Sequence, residues 1–183
     1  MINRILLMII SLSILGVNIM AEEKVIRFDR SHNLGFTIYD ASDATLRYSN
    51  TYFGRRISDN KDVPRDLAPS KKEGNEENMK ARMGTYPIFA GEVKLKWHDY
   101  DDNLIEYNFD FNNIFPDKII PHPKELEDRI FWPEPLYGTP GIILEIINRT
   151  LNIYTLIDLH IQVPNTDLVK STRYHEKVYS KTF

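Results

Sequence analysis

The chain has 183 residues, a formal net charge of −3, 42% hydrophobic residues and no cysteine. Nine Phe and ten Tyr argue against a disordered chain, and eight Gly with ten Pro exclude a collagen-like or low-complexity one. Without Cys there is no disulfide framework, thiol nucleophile, thiolate zinc site or lipidated cysteine, and the slightly acidic charge gives no general attraction to nucleic acid.

Met1–Arg4 is a short basic start, and Ile5–Met20 is almost entirely apolar, with Ala21 standing before Glu22-Glu23-Lys24. That order predicts a secretory signal over residues 1–21, cleaved after Ala21, and a periplasmic address. The apolar run is shorter than the roughly 20 residues of a membrane span. The alternative is an uncleaved anchor, which Ile19 at the −3 position favours, and membrane contact then runs through this segment alone. Cleavage leaves residues 22–183 as a single β-rich domain with 22 bases against 26 acids.

Along that domain the dominant hydrophobic period is two. Lys24–Phe28 and Phe36–Tyr39 read as short strands, and Leu46–Phe53 as a third. Residues 54–85 form a long charged loop or insertion, with Pro64, Pro69 and a run of Lys, Arg, Asp and Glu. Glu73–Arg82 has helix-forming residues but little apolar face. Glu92–Trp97 places Val93, Leu95 and Trp97 on one face, and Ile105–Phe111 places Ile105, Tyr107, Phe109 and Phe111 on one face. The turn-rich His98–Asn103 between them makes an antiparallel hairpin. Lys124–Ile130 has room for one or two helical turns behind Pro123. Ile142–Ile147, the turn Asn148-Arg149-Thr150 and a run from Leu151 to Val163 form a second hairpin, and Thr172–Tyr179 a final strand. The expected fold is mainly β: an antiparallel β-sandwich or curved sheet built from hairpins, with little helix.

Two segments stand out as contact surfaces. Asp99-Tyr100-Asp101-Asp102-Asn103 is an acidic projection at a hairpin turn. It matches the opening of a calcium loop, but Leu104 stands where the sharp turn needs Gly, so a solvated turn is expected and no metal. Phe131-Trp132-Pro133-Glu134-Pro135-Leu136-Tyr137 is held extended by prolines, which prevent regular sheet pairing. Phe131, Trp132 and Tyr137 must pack on the sheet or face a partner, and aromatic anchors beside charged rims are what interface centres are made of. His160 shares a strand face with Asp158, as a surface pair. No nucleophile elbow, glycine-rich phosphate loop or His-Glu-x-x-His is present. No cofactor and no catalytic set are therefore expected.

Gly91-Glu-Val-Lys-Leu-Lys-Trp97 with its acidic turn, Asn113-Ile-Phe-Pro-Asp117, and Pro140 through Tyr154 together resemble blocks of a known group. These are exported β-rich proteins encoded beside type VI secretion effectors, over residues 86–157 of this chain. The resemblance implies an immunity protein that binds a cognate toxic effector, often a phospholipase, by blocking its active site or lid. Many such proteins carry a lipobox Cys. This chain has none, which implies a protein free in its compartment rather than tethered by a lipid. Two other readings remain open: an envelope-associated structural or ligand-binding β-sandwich, and a hydrolase using carboxylates such as Asp99, Asp101 or Glu145.

Overall fold

A computed structural model describes residues 24–54, 65–75, 79–81 and 83–183. The expected signal, residues 1–21, lies outside these. Among the described residues nine strands form two sheets: β1 Ser31–Tyr39, β2 Ser42–Tyr48, β3 Thr51–Phe53, β4 Gly84–Pro87, β5 Glu92–His98, β6 Leu104–Asp110, β7 Gly141–Ile147, β8 Thr150–Gln162 and β9 Val169–Thr182. One sheet has the order β4-β1-β7-β8-β9, and the other β3-β2-β5-β6. The mainly β, sandwich-like reading holds. One pair departs from the antiparallel expectation, because β1 runs parallel to β7.

Both expected hairpins form, with Trp97 opposite Ile105 and Ile146 opposite Leu151. Their apolar faces meet: Val93, Leu95 and Trp97 of one sheet and Leu144, Ile146, Leu151 and Ile153 of the other are all fully buried in one cluster. Each such side chain contributes roughly 1.5–3 kcal/mol by leaving water. The Trp97 indole also links the sheets, since its Nε1–H donates to Asn148 O at 2.7 Å in the β7–β8 turn.

Several boundaries differ from expectation, each for a local reason. Leu46–Phe53 is not one strand. Ser49 and Asn50 take φ of +46° and +62°, the paired left-handed conformation of a tight hairpin turn, so the chain reverses between β2 and β3. Phe111 does not continue β6. Asp110 caps a one-turn helix, α1 (Phe111–Ile114), by accepting Asn112 N–H at 2.7 Å. Lys24–Phe28 is an extended segment rather than a strand, joined to residues 118–120 through Phe28 N–H to Lys118 O and Ile120 N–H to Ile26 O. Lys124–Arg129 is a 3₁₀ turn behind Pro123. The final strand is longer than expected, at 14 residues, and carries a bulge opposite Ile153/Tyr154. Among the described residues no helix is long and apolar enough to cross a membrane.

A buried polar pair sits inside the sandwich. His32 is fully buried, with the rings of Phe28, Tyr48, Tyr86, Phe89 and Phe111 within 6.4 Å. The Tyr48 hydroxyl accepts Ala90 N–H at 2.8 Å and lies 2.9 Å from His32 Nε2. The network assigns the neutral tautomer: Nε2 accepts from Tyr48, and Nδ1–H donates to Asn33 O at 3.2 Å. Burial pushes His32 below its ordinary 6.5 and pushes Tyr48 up to about 12. His98 is lowered as well, by burial and then by Arg65.

The native protein therefore binds fewer protons than the unfolded chain once the pH falls below 6.5. Urea-unfolding free energy should be flat near pH 7 and fall as the pH drops from about 6.5, with a slope approaching about 1.4 kcal/mol per pH unit for each depressed histidine. His32→Gln, which cannot titrate but still accepts from Tyr48, should show a shallower slope. An unchanged slope contradicts the assignment.

Candidate functional site

The expected contact residues fall at opposite ends of the sandwich. The acidic turn lies beside the β7–β8 turn, where Tyr100 N–H donates to Asn148 Oδ1 at 2.9 Å. The aromatic segment lies at the far end of β8, where Tyr137 N–H donates to Asp158 O at 2.8 Å. Thr150 and Asp158 are separated along the strand by roughly 26 Å. The two segments are thus distinct surfaces.

Within the acidic turn, Asp99 is a structural residue rather than a contact. It is 2% exposed. Its Oδ1 accepts Asp101 N–H at 3.0 Å and Asn103 N–H at 2.8 Å, and Asn103 Nδ2 donates to both carboxylate oxygens. Burial opposes its ionisation, but those hydrogen bonds and Arg149 outweigh burial and hold the carboxyl below its usual range. Asp102 reaches φ of +65° and pairs with Arg65 at 2.8 Å, and Arg65 also contacts Asp43. Asp101 is exposed, and Tyr100 projects into solvent at 64% exposure. Asp102 also keeps a side chain 67% exposed beside Arg65, so Tyr100, Asp101 and Asp102 are exposed members of this turn and Asp99 is not.

The aromatic segment occupies the place that β7 leaves free. Pairing of β7 with β8 begins at Gly141 opposite Leu156, so β8 runs on beyond it. Isolated bridges Ile130 to Ile161 and Leu136 to Leu159 cover that overhang. Pro133 and Pro135 break what would otherwise be a ladder into these two bridges. Trp132 turns inward: its Nε1–H donates to Glu127 O at 3.0 Å and its ring meets the edge of His122. Phe131 is at the margin of exposure, and Tyr137 is 64% exposed. The Tyr137 ring rests 5.6 Å from that of His160, whose Nδ1 lies 2.8 Å from Glu134 O. Asp158 and His160 do share the outer face, but the partner of Asp158 is Arg173 of β9, in a two-pronged pair at 2.9 and 2.8 Å. A shallow polar groove, about 170 Å³, runs beside this pair and includes Asn33, Thr139 and Lys80.

A further polar centre lies on the outer face of the same sheet. Glu145 is fully buried in the isoleucine-rich β7. Asn152 Nδ2 and the Tyr154 hydroxyl each donate to its Oε2 at 3.1 Å, and Lys71 Nζ sits 2.9 Å from Oε1. Strand register extends the row from Thr37 through Glu145 and Asn152 to Ser180, which donates to Asn152 Oδ1 at 2.7 Å. Lys71 comes from the charged stretch 54–85, and several of its described residues touch the sheet. Ala68 N–H donates to Ala41 O, Ser70 bonds Asp40, and Met79 is buried on Ile143 and Tyr154. Gly35 and Gly141 make room for this strap: a Cβ on Gly35 would stand 2.6 Å from Lys80 O, and one on Gly141 2.7 Å from Ala81 Cβ. Glu145 was visible in the sequence as the one charge in an apolar run. Lys71 was not, because nothing local distinguishes it from its neighbour Lys72.

The buried carboxylates are therefore committed within the fold, Asp99 to its turn and Glu145 to Lys71, Asn152 and Tyr154. No protein-family model, no curated protein and no solved structure matches the chain.

Substitutions separate the two carboxylates by their partners. Asp99→Ala leaves the turn's N–H groups without acceptors and should cost about 2–4 kcal/mol in urea unfolding. Lys71→Ala leaves the Glu145 charge buried beside two neutral donors and should cost about 3 kcal/mol. A loss below about 0.5 kcal/mol at either position, typical of a plain surface change, contradicts the role given to it.

Proposed function

We propose that this chain is a periplasmic immunity protein that binds a toxic secreted effector of the phospholipase type and blocks its active site or lid. It acts by contact, with no chemistry of its own. The observation that carries the reading is Tyr137. A large aromatic side chain stands mostly in solvent, yet its backbone is tied to β8 and the segment before it is bridged to the same strand at Ile130 and Leu136. Holding an aromatic residue out of the core exposes apolar surface that folding would otherwise bury. A partner that covers it recovers that free energy, and a rigid anchor loses little entropy on binding. The Arg173–Asp158 pair and the exposed Phe131 supply a mixed rim around it. The internal commitment of Asp99 and Glu145 supports the same reading, since both carboxylates already have structural partners. The block resemblance over residues 86–157 names the kind of partner.

The test is co-production in the periplasm of the adjacent gene's product, with and without this chain. The neighbour alone should arrest growth and hydrolyse membrane phospholipid, and both effects should disappear when this chain is present. A harmless neighbour, or toxicity that this chain leaves untouched, overturns the proposal.

A further inference from the structure

We propose that the outer edge of β9 is a strand-addition site for an extended acidic polypeptide segment. β9 ends the order β4-β1-β7-β8-β9, so one side pairs with β8 and, among the described residues, no strand pairs with the other. At 14 residues it is twice the length of β6, the edge strand of the second sheet, at 7. The edges formed by β3 and β4 are 3 and 4 residues long, and β4 ends in Pro87. A long free edge presents a row of N–H and C=O groups that match an incoming strand.

The side chains say what that strand carries. β9 holds Lys170, Arg173, Lys177 and Lys181 against the single acid Glu176, in a chain whose net charge is −3. Lys177 and Arg173 stand on the outer face, opposite Tyr154 and Asp158, and Lys170 stands on the other face, opposite Ile161. Arg173 is already paired with Asp158 and Glu176 shares the face of Lys170, so the charges an added strand would meet are Lys177 on the outer face and Lys170 at the start of the other. β9 as a whole carries more bases than acids, so a second copy of the strand is disfavoured on balance and an acidic occupant is selected. Leu168 and Val169, 66% and 41% exposed at the start of the strand, offer an apolar anchor beside the charges. The bulge opposite Ile153/Tyr154 interrupts the edge beyond Lys177, so the regular run is Val169–Lys177. This inference stands apart from the effector reading, because it concerns the backbone and charge of the occupant and not its activity.

The probe is an end-blocked peptide of alternating Thr and Glu, equal in length to Val169–Lys177, titrated against the chain while backbone amide shifts are followed. It should bind with Kd below about 1 mM, perturb β9 amides, and weaken about tenfold when salt rises from about 0.05 to about 0.5 M. The same peptide N-methylated on alternate residues, which removes one row of donors, should lose binding. Lys170→Glu combined with Lys177→Glu should weaken the Thr/Glu peptide about tenfold, with circular dichroism confirming an intact fold. Three results would overturn the proposal: no binding of the Thr/Glu peptide, equal binding of a Thr/Lys peptide, or unchanged affinity of the N-methylated peptide. The last would mean charge attraction without strand pairing.

Discussion

β7 is buried on both faces, and that burial includes the carboxylate of Glu145. A strand in this position has to be covered twice. The sheet carrying Val93, Leu95 and Trp97 covers its inner face. The strap that carries Lys71 and Met79 covers its outer face, meeting the charge with Nζ at 2.9 Å and the isoleucine beside it with a thioether. An uncompensated buried charge is among the costlier defects a fold can hold. The strap is therefore part of the fold, with Gly35 admitting Lys80 O and Gly141 admitting Ala81 Cβ where a Cβ would collide. Glu145 in a run of isoleucines also fixes register. A slip of one residue would turn the carboxylate into the apolar core and Leu144 or Ile146 towards the polar row.

The alternation of residues 92–110 made the first hairpin legible, because each of its strands repeats with the period of the pleat, and the second was legible from the apolar run 142–147 and the turn residues that follow it. What was not legible depended on distant partners. Nothing near residue 36 announces that β1 runs parallel to β7, more than 100 residues away. Nothing near Lys71 points to Glu145. The Ser49-Asn50 turn lacks the Asn-Gly pair that signals such a reversal, so two strands read as one. At the contact surfaces the sequence showed which residues were aromatic or acidic but not which way they turned. Asp99 and Trp132 look as available in the sequence as Tyr100 and Tyr137. Hydrogen bonds from Asn103 draw Asp99 into its own turn, and the Glu127 carbonyl draws Trp132 inward.

The polar groups thus divide into two sets. His32, Asp99 and Glu145 are buried and face donors or acceptors of the fold itself. Tyr100, Tyr137, Phe131 and the basic side chains of β9 lie at or near the surface on backbone held in place by strand pairing or bridges. The first set sets stability and its acid limit. Apart from Arg173, which is held by Asp158, the second set lies outside the hydrogen bonds that bind the core. Tyr137 and β9 are also continuous, since Asp158 accepts the Tyr137 N–H on its carbonyl and the Arg173 guanidinium on its carboxylate. A partner seated on the aromatic end would lie beside the start of the free edge.

The division between a self-satisfied interior and a recognising surface is tested most directly with Tyr137→Ala, measured both for urea stability and for affinity to the neighbouring gene's product. The account predicts a stability change below about 0.5 kcal/mol together with a loss of affinity of about 30-fold or more. Unchanged affinity with a stability loss of core size, about 3 kcal/mol, would place Tyr137 in the fold rather than in recognition and contradict the account.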